Sequence, residues 1–203
     1  MTIAAVQSAL NQAGYACQDD GDFGPMTYAA LASYASDRGL GQFGQALGVA
    51  MAAQFPATGV TSDLQRIHWL AQAAHETGGF RWLIEQGDAS YFVRYERRPD
   101  LGNVRPGDGY RYRGRGLFQI TGRANYARFG AQIDAPLEAD PDLALQPLIA
   151  VKIACAYWTD RHIGPLADAD DCPAVTRKIN GGLNGLAERQ AITDRLKRLW
   201  ALG

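Results

Sequence analysis

Glu76 stands at the end of a helical pattern, where a carboxyl group can take part in acid catalysis. Helical spacing over residues 63–77 places four side chains on the face opposite an apolar stripe: Gln65, Trp69, Gln72 and Glu76. The glycine pair 78–79 ends the helix, so Glu76 lies at the negative end of the helix dipole, which disfavours its ionised form. A carboxyl group that keeps its proton near neutral pH can serve as a general acid.

Glycoside hydrolysis usually needs a second carboxylate, which activates water or attacks the sugar. The acidic residues that follow Glu76 most closely are Glu85, Asp88, Glu96 and Asp100. Spacing alone does not choose among them, because the glycine pair separates them from the helix geometry. Glu96 lies among arginines, so it fits a structural ion pair as well as an alternative base.

The sequence offers little support for other chemistries. The residue that would complete a zinc-binding HExxH motif after His75 is Gly79, and the remaining His and Cys residues lack paired ligand spacing. We therefore expect no metal and no cofactor. No GxSxG motif and no phosphate-binding loop occurs either.

The periodicity predicts a mainly α protein in which helices alternate with loops. The expected helices cover residues 2–13, 27–38, a segment from 43 that stops at Phe55-Pro56, 63–77, 123–130, 147–162, 173–179 and 186–201. Residues 86–122 are rich in Gly, Arg and Tyr without helical periodicity. That segment predicts a long loop insertion with a short hairpin near 110–120, and such long loops are usually functional.

Composition and length limit the class of protein. The chain has 203 residues, 47% of them hydrophobic and 20% charged, which is typical of a globular protein. Three cysteines cannot close a disulfide framework, so we expect free thiols and folding in a reducing compartment. The first residues lack the basic region of a signal peptide, and no apolar run approaches the roughly 20 residues of a spanning helix. We expect synthesis in a bacterial cytoplasm and no membrane insertion.

The net charge of −1 hides an uneven distribution. Residues 81–128 hold ten arginines against five acidic residues, whereas residues 1–40 are net acidic. The overall balance argues against a nucleic-acid partner. The arginine-rich window indicates either a solvated surface or a groove for a partly acidic polymer.

Three segments resemble glycoside hydrolase family 19, which contains chitinases and phage endolysins. They are HWLAQAAHETGGFRWLIEQ (68–86), YRGRGLFQITGRANY (112–126) and INGGLNGLAER (179–189). The resemblance implies a lysozyme-like, two-lobed helical catalytic domain over residues 41–203.

The same motifs imply roles for individual residues. Glu76 corresponds to the family's general acid and Glu85 to its general base, in an inverting reaction that needs carboxyl groups roughly 6.5–9.5 Å apart. Thr121 corresponds to a residue that holds the water, and Arg189 to an arginine that pairs with the catalytic carboxylates. The positions implied to contact substrate or line the cleft are Gln119, Asn125, Tyr126 and Asn180.

The N-terminal segment has a resemblance of its own. VQSALNQAGY (6–15) and DGDFGPMTYAAL (20–31) are similar to a short helical peptidoglycan-binding module, which divides the chain into a module at 1–40 and a catalytic domain at 41–203. The alternative is a two-helix cap that only packs against the catalytic domain.

These features together predict an endolysin-type hydrolase that cleaves the β-1,4 glycan of bacterial peptidoglycan. Arg111 and Arg113 are then hypothesised to contact carboxylates of the muramyl-peptide part of the substrate. A chitinase with the same catalytic residues is the alternative. We further expect a monomer that reaches the wall through a holin pore.

Overall fold

The computed structural model describes residues 2–201, in which the regular elements are helices joined by loops. Their α-helices are α1 (Ile3–Gln12), α2 (Pro25–Ala35), α3 (Gly41–Thr58), α4 (Asp63–Glu76), α5 (Ala89–Phe92), α6 (Asp108–Arg111), α7 (Arg123–Ile133), α8 (Pro147–Asp160), α9 (Gly164–Asp168), α10 (Cys172–Asn180) and α11 (Leu186–Ala201). Three 3-10 helices lie at Val93–Tyr95, Pro99–Leu101 and Pro141–Leu145. The predicted mainly α class is confirmed.

Local sequence explains where several helices begin. The Thr2 hydroxyl accepts a hydrogen bond from the N–H of Ala5, and the Ser62 hydroxyl accepts one from the N–H of Gln65. Both side chains satisfy backbone donors that the first helical turn leaves free. Helices α2 and α8 start with proline, which has no N–H to satisfy at that position.

Helix α3 runs past the point where the sequence predicted its end. The prediction placed the end at Phe55-Pro56, but the helix continues to Thr58. Pro56 lies in the last turn, and the chain leaves the helix at Gly59, whose positive φ of 78° suits a C-terminal cap. Pro56 lacks the N–H that would bond to the carbonyl of residue 52, so the helix loses that bond but continues for two more residues.

Helix α4 is the central helix, and this corrects the expectation that one face points away from its core. Trp69 and Gln72, on the side predicted to face outward, are each 0% exposed. The Trp69 ring packs 4.9 Å from that of Phe55 and 5.4 Å from that of Phe118, measured between centroids. Helices α2, α9, α10 and α11 pack around α4, so its polar residues become interior groups that need partners.

The N-terminal helices join the same hydrophobic core as the rest of the described chain. Val6, Leu10 and Leu31 are 0% exposed and belong to the cluster that contains Trp69. Helix α2 lies so close to α3 that a Cβ on Gly48 would stand 2.1 Å from the carbonyl oxygen of Pro25. The division at residue 40 stays a prediction, but the two parts share one core.

The segment 86–122 differs from the prediction in its details. No strand occurs in the part of the chain that the structure describes, and the expected hairpin is reduced to isolated bridges, including Ile84 to Arg115 and Arg115 to Ile120. Short helices, α5 and α6 among them, fold the rest of the segment. The bridges matter because they attach residues 114–120 to the chain just before Glu85.

Among residues 2–201, no helix combines the length and hydrophobicity needed to cross a lipid bilayer.

Candidate active site

Glu76 is the last residue of α4, and its carboxylate is held by a buried arginine from α11. Arg189 Nη2 donates to Glu76 Oε1 at 2.5 Å, and a second guanidinium nitrogen, Nη1, donates to Gln72 Oε1. The Arg189 side chain is only 1% exposed, and that of Glu76 is 16% exposed. The pair fixes Oε1 of Glu76, and Oε2 accepts no hydrogen bond from residues 2–201, so it can meet a ligand.

The loop before α11 is shaped to receive the end of α4. Arg189 Nε also donates to the carbonyl oxygen of Asn184 at 3.2 Å. The His75 ring lies so close to Gly185 that a Cβ there would stand 2.2 Å from Nε2. On its other side, His75 Nδ1 lies 3.0 Å from a carboxylate oxygen of Glu188. Gly185, in the segment INGGLNGLAER (179–189), therefore has no room for a side chain because the His75 ring lies against it.

Glu85 is placed by the segment around Gly114. The Glu85 N–H donates to the carbonyl oxygen of Gly114 at 2.8 Å, and the Gly114 N–H donates back to Glu85 Oε2 at 3.1 Å. The other carboxylate oxygen, Oε1, accepts from Arg94 Nη2 at 2.6 Å and from the Tyr95 hydroxyl at 2.9 Å. The side chain remains 20% exposed. These three donors fix the orientation of both carboxylate oxygens.

The sequence analysis did not predict the contacts that Arg94 and Tyr95 make with Glu85. The Arg94 guanidinium stacks 3.7 Å from the Tyr91 ring centroid and 4.8 Å from that of Tyr95. Burial, followed by the neighbouring carboxylate of Glu85, raises the pKa of the Tyr95 hydroxyl, which therefore stays protonated as a donor. In the sequence, the signal for this arrangement is the placement of Arg94 between Tyr91 and Tyr95.

The side chains of Gln119 and Glu85 both lie close to Gly114. A Cβ on Gly114 would stand 2.8 Å from Gln119 Oε1 and 3.1 Å from Glu85 Oε2. Gln119 adopts a left-handed backbone with φ of 49°, which residues other than glycine rarely adopt. Its Nε2 donates to the carbonyl oxygen of Gly116 at 2.7 Å, which fixes the amide beside the carboxylate.

Thr121 and Asn125 continue the same chain of contacts. The Thr121 hydroxyl donates to the carbonyl oxygen of Gln119 at 3.2 Å, and Asn125 Nδ2 donates to the carbonyl oxygen of Thr121 at 2.7 Å. Both side chains are half-buried. Asn180 is exposed at the end of α10 and donates or accepts no side-chain hydrogen bond among the described residues.

Two comparisons with known proteins decide the family. Residues 36–171 match the family model of glycoside hydrolase family 19, described as chitinase class I. The chain is 38% identical over 168 residues to a glycosyl hydrolase family 19 domain-containing protein of Haemophilus influenzae, with 69% of this chain and 82% of that protein covered. The chain belongs to glycoside hydrolase family 19.

Further relatives of this family 19 hydrolase are plant chitinases. The acidic endochitinase Q of Nicotiana tabacum is 31% identical over 175 residues, which cover 73% of this chain. The matched region spans 65% of that enzyme, slightly under two thirds of its length.

Solved structures resemble the hydrolase in fold. Chitinase C from Streptomyces griseus superposes with a TM-score of 0.69 at 24% identity, covering 88% of this chain and 94% of that one. A class IV chitinase from Zea mays gives 0.60 at 23% identity, covering 86% and 90%. The likeness is one of fold, and it confirms the helical catalytic architecture that the resemblance implied.

Tyr126 of the hydrolase lies inside the protein and not on a sugar-binding surface. Its side chain is 0% exposed, and its hydroxyl donates to the carbonyl oxygen of Arg113 at 2.7 Å. Burial raises the pKa of Tyr126 to about 12. The expected substrate contact is therefore corrected to a structural one, because the ring supports the segment that carries Gly114.

Glu96 has a structural contact that differs from the expected ion pair. Its two carboxylate oxygens accept the N–H groups of Gly109 at 3.0 Å and Gly107 at 3.2 Å. It forms no ion pair with an arginine among residues 2–201. Glu96 thus holds the start of the short helix α6, whereas Glu85 is the carboxylate attached to Gly114.

Fewer arginines in the window 81–128 are free to bind an acidic polymer than the sequence suggested. Five of its ten arginines pair with carboxylates of this chain: Arg94, Arg98, Arg115, Arg123 and Arg128. Arg111 and Arg113, the predicted substrate contacts, have no carboxylate partner among residues 2–201, and each donates to a backbone carbonyl oxygen. Within residues 2–201, no group of three or more His, Cys, Asp or Glu residues is arranged to hold a metal ion.

Proposed function

We propose that this family 19 hydrolase cleaves the β-1,4 glycan of bacterial peptidoglycan, as an endolysin-type enzyme. The observation that carries the proposal is the N-terminal unit, which resembles a peptidoglycan-binding module and adjoins the catalytic helix. Arg38, at the end of that unit, donates from Nε and Nη2 to the carbonyl oxygen of Gly79 at 3.1 and 2.8 Å. A wall-binding unit attached here would deliver glycan to the end of α4.

The proposed reaction uses the two glutamates in different protonation states. Glu76 donates its proton from Oε2 to the glycosidic oxygen as the bond from that oxygen to the sugar C1 breaks. Arg189, already bound to Oε1, then stabilises the carboxylate that remains. One guanidinium thus favours the charge that develops during bond cleavage.

Glu85 serves as the base in this proposal. It removes a proton from a water molecule whose oxygen forms the new bond to C1 on the face opposite the leaving group, which inverts the anomeric centre. Its donors Arg94, Tyr95 and Gly114 hold both carboxylate oxygens in a fixed orientation. Thr121, two residues after Gln119, is the proposed partner that orients the water.

Chitin is the second candidate substrate. The names of the relatives favour it, since the tobacco protein is called an acidic endochitinase and the Streptomyces griseus structure a chitinase. The same carboxylates would cleave the β-1,4 bonds between N-acetylglucosamine units. The two substrates differ in the muramic acid and its peptide, which only peptidoglycan carries.

Parallel digestion of purified peptidoglycan and chitin tests the proposal. Mass spectrometry of the new reducing ends identifies the bond that is cut, and NMR of the first product formed identifies its anomer. We expect soluble muropeptides whose first-formed reducing ends are α. Soluble products from chitin alone would overturn the peptidoglycan assignment, and a β product would overturn the inverting mechanism.

Three glutamine variants test the roles of the glutamates. Glu76→Gln and Glu85→Gln should each lower kcat by at least about 10²-fold, because each removes a group that moves a proton. Glu96→Gln is the matched control, since Glu96 accepts backbone N–H groups away from Glu85. If Glu96→Gln abolished activity in a folded protein while Glu85→Gln did not, the base would be Glu96.

A wall hydrolase also needs a route to its substrate. We propose release through a holin pore after synthesis in the cytoplasm, and action as a monomer. Lysis that depends on co-expression of a holin, together with a monomeric mass in solution, would support this proposal.

A further inference from the structure

A groove is lined by Arg113 and Arg115, the two neighbours of the residue that bonds to Glu85. It opens between segments 105–115 and 135–142 and has a volume of about 1290 Å³, enough for a small peptide. Neither Glu76 nor Glu85 lines it. The groove and the base nevertheless share one backbone segment, since Arg113 and Arg115 line the groove while Gly114 between them bonds to Glu85.

The groove lining holds five arginines and four acidic residues, and two of the arginines bind three of the four carboxylates. Asp108 is 2% exposed, and two Arg123 nitrogens donate to its oxygens at 2.5 and 3.1 Å. Burial acts to raise the pKa of Asp108, but the bonds from Arg123 and from backbone N–H groups hold it below its usual value. Arg123 also binds Glu138, and Arg115 binds Asp142 at 2.8 Å.

Three other arginines of the groove have no carboxylate partner among the described residues: Arg105, Arg111 and Arg113. The acidic residue of the lining that no arginine binds is Asp140, which accepts the N–H of Asp142. The groove therefore carries an excess of positive charge that the protein itself does not neutralise.

Two of these guanidinium groups are held in place before any ligand arrives. Arg113 Nη1 donates to the carbonyl oxygen of Tyr110 at 2.7 Å, and the guanidinium lies 4.0 Å from the Tyr110 ring centroid. Its Nε and Nη2 have no partner among the described residues, so one edge is free for a bidentate bond. Arg111 Nη2 is anchored on the carbonyl oxygen of Ala139 at 2.6 Å. Such preorganisation lowers the entropy lost on binding an anion.

We propose that this groove binds the free carboxylates of a peptidoglycan stem peptide while the glycan lies at Glu76 and Glu85. The inference rests on the proposed function and specifies which part of the substrate lies where. A guanidinium edge matches the planar, two-oxygen shape of a carboxylate. Because one backbone segment separates the groove from Glu85, a peptide attached to a sugar at the base can reach it.

Calorimetric titration of the full chain with a free stem tetrapeptide tests the groove without requiring catalysis. We expect binding that is lost when the peptide carboxylates are amidated. The Arg105→Gln/Arg113→Gln variant should weaken binding at least about tenfold, because it removes two charge-assisted contacts. Arg98→Gln is the matched control, since that exposed arginine pairs with Asp100 outside the groove and its loss should leave binding unchanged.

The outcomes separate this inference from the proposed function. Equal binding of the amidated peptide, or unchanged binding by the double variant, would overturn the groove assignment. Tighter binding of inorganic polyphosphate than of the peptide would also overturn it, by showing a general polyanion site. Peptidoglycan hydrolysis without peptide binding would overturn the groove alone. Peptide binding with hydrolysis of chitin only would overturn the substrate proposal but keep the groove.

If the double variant failed to fold, Arg105→Gln alone gives the same test. Arg105 is exposed and has no carboxylate partner among the described residues.

Discussion

At the scale of single residues, the two candidate catalytic glutamates differ in what holds them. Glu76 is bound by Arg189, which is buried and also anchored on Gln72. Glu85 is bound by Arg94, whose side chain is 46% exposed, and by a tyrosine hydroxyl. Glu76 is thus held by a buried side chain, whereas Glu85 is held by the Gly114 N–H on one oxygen and by side chains nearer the surface on the other. Arg94 is therefore a positioning residue whose effect can be measured.

Replacing Arg94 with Gln should lower kcat and leave KM nearly unchanged. The exposed pair contributes little in water, so we expect a fall in kcat of about two- to fivefold. Without Arg94, Glu85 Oε1 loses one of the two donors that hold it in place, so the carboxylate is less well oriented. Arg94→Lys, which keeps a cationic donor, should restore part of the lost kcat.

The control for this variant is Arg98→Gln, which removes an exposed arginine from a pair with Asp100. A rise in KM with an unchanged kcat would contradict the positioning role, since it would show that Arg94 contacts the substrate directly.

At the scale of helices, α4 carries a buried histidine that links stability to pH. His68 is 0% exposed, and its Nε2 lies 2.9 Å from Asp170 Oδ1, where it can donate a hydrogen bond. Burial lowers the pKa of His68 from 6.5, although the Asp170 carboxylate acts in the opposite direction. The folded protein therefore favours the neutral ring, and Nδ1 has no partner in the described part of the chain.

Stability should consequently decrease as the pH falls below about 6.5, the value expected for an unfolded histidine. Below that pH the unfolded chain binds a proton that the folded chain resists. Thermal unfolding from pH 8 to pH 5 should show a falling Tm, and His68→Gln should make this slope shallower. An unchanged slope in His68→Gln would contradict the assignment, leaving the dependence to His75, whose pKa burial also lowers.

At the scale of the whole molecule, the N-terminal helices and the rest of the described chain share one core. Helices α2 and α3 approach each other closely at Gly48. Gly48 of α3 faces α2, where a Cβ would stand 2.1 Å from the carbonyl oxygen of Pro25 and 2.9 Å from the nitrogen of Ala29. Both neighbours are backbone atoms of a packed helix, so neither can move without moving α2. A single methyl group here should separate the helices.

Gly48→Ala should destabilise the whole chain by about 1–3 kcal/mol, the usual cost of overpacking a core. Denaturant unfolding should remain one transition, monitored both by far-UV circular dichroism and by tryptophan fluorescence. Gly39→Ala is the matched control, because a Cβ there meets no atom within 4 Å. Two separate transitions would instead show that residues 1–40 unfold as an independent module.

Much of the secondary structure could be predicted from sequence, because helix signals are local. Ser62 caps α4 and Pro147 opens α8 as their residue types predict. The predicted end of α3 at Phe55-Pro56 was wrong, because the loss of the Pro56 N–H does not prevent the two residues after it from being helical. The 3-10 helix at Pro141–Leu145 and helix α9 were missed because such short elements carry no periodicity.

The sequence by itself determined the family and the helical class, since these depend on residue type and short spacing. It also predicted Glu76 and Glu85 as the catalytic pair through the resemblance of its motifs to the family. Only the tertiary structure decided which charges are free. It attaches Glu85 to Gly114, uses Glu96 to hold α6 and buries Tyr126 beneath the same segment. It also divides the arginines between internal pairs and an open groove. The physical reason is that an arginine's partner is a neighbour in space, often far along the chain, as Arg189 and Glu76 show.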